Sequence, residues 1–181
     1  MTYKILTPLL LLTCLQQAGC VVFPTTRTFY EPNSKDGELH NRSSCGYMST
    51  HDSIERTVEG VRITLYLGSV EEPEDRKPNL HLTTYISSAS DAVVVNPSLI
   101  RIEIPNVNSS LEGSTIESNL HLLHQTQSFS IFYPDPSGYA DSVTVIFAPE
   151  AISLNGHSLT LAPFHFIRVK KHDAYYGSIN C

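Results

Sequence analysis

The sequence predicts an all-β domain built as an antiparallel β-sandwich, and three observations carry that expectation. Apolar residues recur with a period of two in five separate stretches, the mark of half-buried strands. Turn-forming residues fall between those stretches. No segment sustains a helical period with capping residues at its ends.

The strands can be justified in order. Val61, Ile63, Leu65 and Leu67 share one face, with Arg62 and Thr64 on the other. In NLHLTTYISS, Leu80, Leu82 and Ile86 oppose His81, Thr83 and Tyr85. Ile100, Ile102 and Ile104 alternate with Arg101 and Glu103, Phe129, Ile131 and Tyr133 with Ser130, and Val143, Val145 and Phe147 with Thr144. Asn96-Pro97-Ser98 and the run from Pro134 to Gly138 break strands, because Pro fixes φ and Gly accepts positive φ. Asn155-Gly156 in AISLNGHSLTL suits a two-residue type I′ hairpin, which would set Ile152 against Leu159 and Leu154 against His157. The region around His121 to Leu123 fits either a turn of helix or a strand continuing from Thr115 and Ile116. Eight or nine short strands at this spacing suit a sandwich, with the immunoglobulin-like arrangement as one candidate. The absence of Trp removes one hallmark of immunoglobulin domains, so the expectation is for the architecture and not the family.

Ahead of this domain, residues 1–19 have the layout of an export signal. Lys4 is followed by an apolar stretch from Ile5 to Leu15, and then by Ala18 and Gly19. The stretch is short of the roughly 20 apolar residues that a membrane span needs. A buried first helix is the plainer reading, but Gln16-Gln17-Ala18-Gly19 stands where such a helix should continue. Ala18-Gly19-Cys20 resembles the lipobox of bacterial lipoproteins, with Gln17 standing where Leu is usual. The mature chain as a whole is similar in plan to small lipoproteins with one β-rich domain. The resemblance implies cleavage before Cys20, a diacylglycerol on its sulfur and acylation (palmitate or a similar chain) of its amine. It also implies retention at the outer membrane, facing the periplasm, because Val21 follows the cysteine where Asp would hold an enterobacterial lipoprotein at the inner membrane. Two or more acyl chains give stable attachment without a spanning helix. Ordinary cleavage nearby would instead give a secreted protein. The expected organisation is a signal peptide over residues 1–19, a lipidated tether over 20–30 and a sandwich over 31–181.

The four cysteines are Cys14, Cys20, Cys45 and Cys181. Cys14 leaves with the leader and Cys20 is modified, so Cys45 and Cys181 remain as one possible disulfide. Exported compartments are oxidising enough to keep it. Closing so long a loop contributes about 4–5 kcal/mol in the chain-entropy model. Two free thiols are the alternative.

Composition narrows function further. Removing the leader takes away Lys4 and no acid, so the charge of −6 becomes −7. A net acidic chain without a basic run argues against nucleic acid and against adhesion to anionic headgroups. None of the eight histidines stands in H-E-x-x-H, and no paired C-x-x-C appears, so no metal or other cofactor is expected. His121 and His124 would share a face only on a helix, His40 and His51 flank Cys45, and His165 between Phe164 and Phe166 reads as an outward residue of a strand. The acidic run from Glu71 to Asp75 lacks the glycine-bearing calcium loop and reads as a solvated connection. No G-x-S-x-G elbow, S-x-x-K or phosphate-binding glycine loop occurs, and nothing selects a carboxylate pair among Glu103, Glu112 and Glu117. Asn41 and Asn108 open glycosylation sequons that matter only in a eukaryote. Phe29-Tyr30 and Tyr175-Tyr176 are candidate contact aromatics, with packing at the ends of the sandwich as the plainer role.

The resulting expectation is an envelope lipoprotein, anchored at Cys20, whose sandwich binds an envelope protein. An envelope hydrolase acting on cell-wall or glycan material is the alternative, and a spacer or assembly factor a third reading.

Overall fold

The computed structural model describes residues 21–40, 46–47, 51–70, 79–89, 93–105, 111–112, 115–121, 126–134 and 140–177. In chain order the strands are β1 (Val21–Pro32), β2 (Glu38–His40), β3 (Gly46–Tyr47), β4 (Ser53–Val58), β5 (Val61–Val70) and β6 (Asn79–Ser88). There follow β7 (Val93–Val95), β8 (Ile100–Glu103), β9 (Leu111–Glu112), β10 (Thr115–His121) and β11 (Thr126–Pro134). The last are β12 (Ser142–Phe147), β13 (Ile152–Leu154), β14 (His157–Ser158) and β15 (Phe164–Gly177). The described chain forms two compact units, one holding residues 21–27, 46–47 and 172–177, the other holding 28–40 and the described residues between 51 and 171.

The strands form antiparallel sheets that do not close into a barrel, in keeping with an all-β sandwich. One sheet runs β10-β11-β6-β5-β4-β2, and the other β1-β15-β12-β8-β9 with β3 paired to β15. A small third sheet runs β14-β13-β7. The order is informative. Taking β5, β6, β8, β10, β11, β12 and β15 as strands A to G gives D-E-B-A in one sheet and G-F-C in the other, the constant-type immunoglobulin order. Strands β4 and β2 extend that order beyond A, β1 beyond G and β9 beyond C. The chain reaches this order without the usual markers: it has no Trp, and no cysteine lies in β6 or β12, where the B–F disulfide would stand.

The predicted faces are the observed ones. Ile63, Leu65 and Leu67 of β5, Leu80, Leu82 and Ile86 of β6, and Phe129, Ile131 and Tyr133 of β11 are buried. They form one cluster with Ile100, Ile102 and Ile104, with Val143, Val145 and Phe147, and with Phe164 and Phe166. Each such large apolar side chain contributes about 1.5–3 kcal/mol on burial. Two tyrosine hydroxyls enter this core because each has an acceptor. Tyr133 donates to the Ile100 carbonyl at 3.0 Å, tying strand E to strand C, and Tyr30 donates to the Ala140 carbonyl at 2.9 Å. Burial pushes the Tyr133 phenol well above the ordinary tyrosine range, so it stays a donor at any ordinary pH.

One inward position breaks the pattern. Thr84 lies between Leu82 and Ile86 in β6, opposite Leu65 and Phe129, and is fully buried. Its hydroxyl has no hydrogen-bond partner among the described residues. An unpaired buried hydroxyl costs about 1–3 kcal/mol. Thr84→Val replaces it by a methyl group of nearly the same shape. It is expected to stabilise the protein by about 1 kcal/mol, read as a higher urea midpoint at unchanged slope. A lower midpoint would show that the hydroxyl is satisfied.

Turn chemistry fixes the registers. Asn155 and Gly156 have φ of 52° and 79°, Leu154 pairs with His157, and the Leu159 amide donates to the Ile152 carbonyl, so the hairpin is the one the sequence predicts. Glu59 and Gly60 repeat that backbone at φ of 51° and 80°, joining β4 to β5 with Val58 opposite Val61. Asn96 caps the short 3₁₀ turn Pro97–Leu99, its Oδ1 accepting from the Ser98 amide and hydroxyl.

Residues 21–30, read from the sequence as a tether, lie in β1, a neighbour of β15 at the edge of its sheet. Phe29 and Tyr30 are buried, in keeping with the packing role, and Tyr30 belongs to the core cluster. The open region resolves as strand for Thr115–His121, while His124 lies outside the described residues.

Candidate functional site

The sequence directs attention to the end of the molecule that follows Cys20 and flanks Cys45 and Cys181. All three cysteines lie outside the described residues, as do the Glu71–Asp75 run and both sequons. Their described neighbours, however, form one small unit. Val21 opens β1, Gly46 follows Cys45, and β15 leads toward Cys181.

Within that unit, β3 pairs antiparallel with the end of β15, setting Tyr47 opposite Tyr175 and Gly46 opposite Tyr176. The Thr26 hydroxyl and His172 Nδ1 lie 2.8 Å apart. Arg27 Nε stands 3.4 Å from Asp173 Oδ2, with the aspartate side chain fully buried and the arginine nearly so. Asp173 Oδ1 also accepts from the Ala174 amide at 2.7 Å. A buried carboxylate needs such a partner and such donors, since an unpaired one would lose several kcal/mol of hydration. The apolar side chains behave in the opposite way. Val22 and Phe23 are 51% and 55% exposed, and Tyr175 is 42% exposed.

A second surface lies on the outward face of the β11-β6-β5 sheet. His81 stacks on Phe132 with ring centroids 4.7 Å apart, the two residues being directly opposite in register. A Cβ on Gly68, the other register partner of His81, would meet the Tyr66 ring at 2.9 Å, so that ring lies over the glycine. Thr83 is buried although it points outward, while Tyr85 stands 38% exposed. Aromatic rings and hydroxyls side by side make a surface suited to contact.

The histidines are accounted for singly. His165 is exposed, as its place between two buried phenylalanines predicts, and its ring Nδ1 lies 2.9 Å from Asp36 Oδ2. The same oxygen accepts from the His165 amide at 2.7 Å. No local pattern signals this pair, whose members are far apart in the chain. His40 Nε2 lies 3.8 Å from Glu38 Oε1, two residues away along β2. Among the described residues no three His, Cys, Asp or Glu side chains converge as metal ligands would, and no helix is long and apolar enough to cross a membrane.

The class of protein is therefore defined by architecture, an antiparallel β-sandwich with immunoglobulin-type strand order. No protein-family model, no curated protein and no solved structure matches the chain.

Proposed function

We propose that this chain is a bacterial envelope lipoprotein, anchored through Cys20 at the outer membrane, whose β-sandwich is a binding or interaction module for an envelope protein. One observation carries the reading: the Ala18-Gly19-Cys20 triplet directly after an apolar stretch of export length. Val21 after the cysteine supports the outer-membrane address. The outward row of Tyr66, His81, Phe132 and Tyr85 supports a contact role for the sandwich, since such rings bury large area at little entropic cost. A Cys45–Cys181 disulfide belongs to the same proposal. The pairing of Gly46 with Tyr176 supports it, because it sets the residue after Cys45 against the strand that leads to Cys181.

Mass spectrometry of the mature protein tests the anchor and the disulfide together. The amino-terminal peptide is expected to begin at Cys20 and carry acyl mass, and the peptides holding Cys45 and Cys181 to be joined. A Cys20→Ala variant is expected to leave the membrane fraction or to stay unprocessed. Membrane retention of a normally sized Cys20→Ala product would sink the lipid-anchor reading. Crosslinking followed by co-purification separates an interaction module from a spacer, since a module yields a discrete crosslinked partner lost on Tyr85→Ala.

A further inference from the structure

Of the six large apolar side chains exposed among the described residues, Val22, Phe23 and Tyr175 belong to the smaller unit. That is a high share for so short a stretch of chain. Val22 and Phe23 stand two and three residues after Cys20. At about 3.3 Å per residue of strand, Phe23 lies within about 10 Å of the Cys20 backbone along the chain. Acyl chains on Cys20 would therefore enter a bilayer within reach of both side chains. Strands β1 and β15 are neighbours in an antiparallel sheet, and Thr26 meets His172. Phe23 of β1 and Tyr175 of β15 are both exposed, and Tyr175 pairs with Tyr47 of β3. Aromatic residues thus stand in all three strands of the unit that follows Cys20. Aromatic rings of this kind favour the boundary between headgroups and acyl chains.

We propose that this end of the protein is a lipid-contact surface, with Val22 and Phe23 seated in the interface of the bilayer that holds the anchor. The inference rests on the lipid-anchor reading and extends it from one modified residue to a protein–lipid contact. Its chemistry is apolar and not electrostatic: the chain is net acidic, and the cation Arg27 is paired with Asp173. Seating two more apolar side chains adds to the hold of the acyl chains and removes freedom of rotation about the thioether.

The chain has no Trp, so Phe23→Trp introduces a single tryptophan, which can be excited selectively over the tyrosines. The lipidated variant is to be reconstituted into phosphatidylethanolamine–phosphatidylglycerol vesicles containing lipid brominated near the top of the acyl chain. Emission is expected to shift to the blue of the unlipidated Cys20→Ser form and to be roughly halved by the brominated lipid, as befits an interfacial depth of about 5–10 Å. Tyr85→Trp, exposed on the sandwich sheet, is expected to keep water-like, unquenched emission. Acyl mass on Cys20 with an unquenched Trp at position 23 overturns this inference alone. Absence of acyl mass removes the anchor and this contact with it. Equal quenching at positions 23 and 85 overturns the assignment of contact to this end.

Discussion

Arg56→Ala is expected to lower the unfolding free energy by about 2–3 kcal/mol, measured as a fall in the urea midpoint at unchanged slope. Arg56 lies in β4 on the same side as Ile54, at a position the period of two assigns to the core. Its guanidinium carbon stands 3.9 Å from the centre of the buried Phe164 ring. Its nitrogens are spent on backbone carbonyls: Nε donates to Asp36 at 2.6 Å, Nη1 to Ala162, and Nη2 to Pro163 at 3.3 Å. One side chain thus ties the β1–β2 turn to the run entering β15. Burial pulls the guanidinium pKa down from its ordinary value, and the nearby Asp36 carboxylate acts against that shift. Alanine would leave three carbonyls to find water and strip the cover from Phe164. Arg56→Lys keeps a cation above the ring but cannot span the three acceptors, so it is expected to recover less than half of the loss. A change within about 0.5 kcal/mol for Arg56→Ala, the range of ordinary surface substitutions, would show that these bonds contribute little.

Gly37→Ala is expected to cost about 2–4 kcal/mol through overlap with main chain. A Cβ at this position would stand 2.3 Å from the Glu55 carbonyl oxygen and 3.0 Å from Ile54 Cγ1. Backbone of a paired strand cannot step aside as a flexible side chain can. Glu38 pairs with Glu55 and Leu39 with Ile54, so relief of the overlap would prise β2 from β4. The turn before β2 is held from its other side as well, by the Asn33 amide donating to the His165 carbonyl and by Asp36 accepting from His165. Because Gly37 and Arg56 secure the same turn, the double variant is expected to lose less than the two single losses combined. Strict additivity would indicate that the turn is fixed independently at each point.

Arg56 also shows where the sequence can and cannot be read. Alternation placed Ile63, Leu82, Ile102, Ile131 and Val145 on the core faces because each sits in a strand with one wet face. The same rule passed over β4, whose inward row holds a cation at the position over Phe164. It passed over β1 because Pro24 and a polar run argue against a strand, and an edge strand is where Pro is tolerated. The alternation of β15 fades after Phe166 because its pairing with β12 ends at Ile167. Beyond that point no single sheet face dictates which residues must be apolar. The Glu59-Gly60 turn is not legible in the sequence because Glu is a rare occupant of positive φ, whereas Asn155-Gly156 is a strong hairpin signal. Of the candidate site, the sequence indicated the three cysteines by their context. The exposure of Val22 and Phe23 and the register of Tyr175 against Tyr47 depend on which distant segments meet, and no local pattern records that.

The neighbourhood of β1 and β15 carries a kinetic consequence. Strand β1 must wait for the distant β15 to be synthesised before its sheet can close. Until then, the hydrogen-bonding edge of β1 is open to foreign partners. Pairing over so long a separation belongs with slow, millisecond-to-second folding. It makes an escorting chaperone during synthesis more valuable to this chain than to one built of local hairpins.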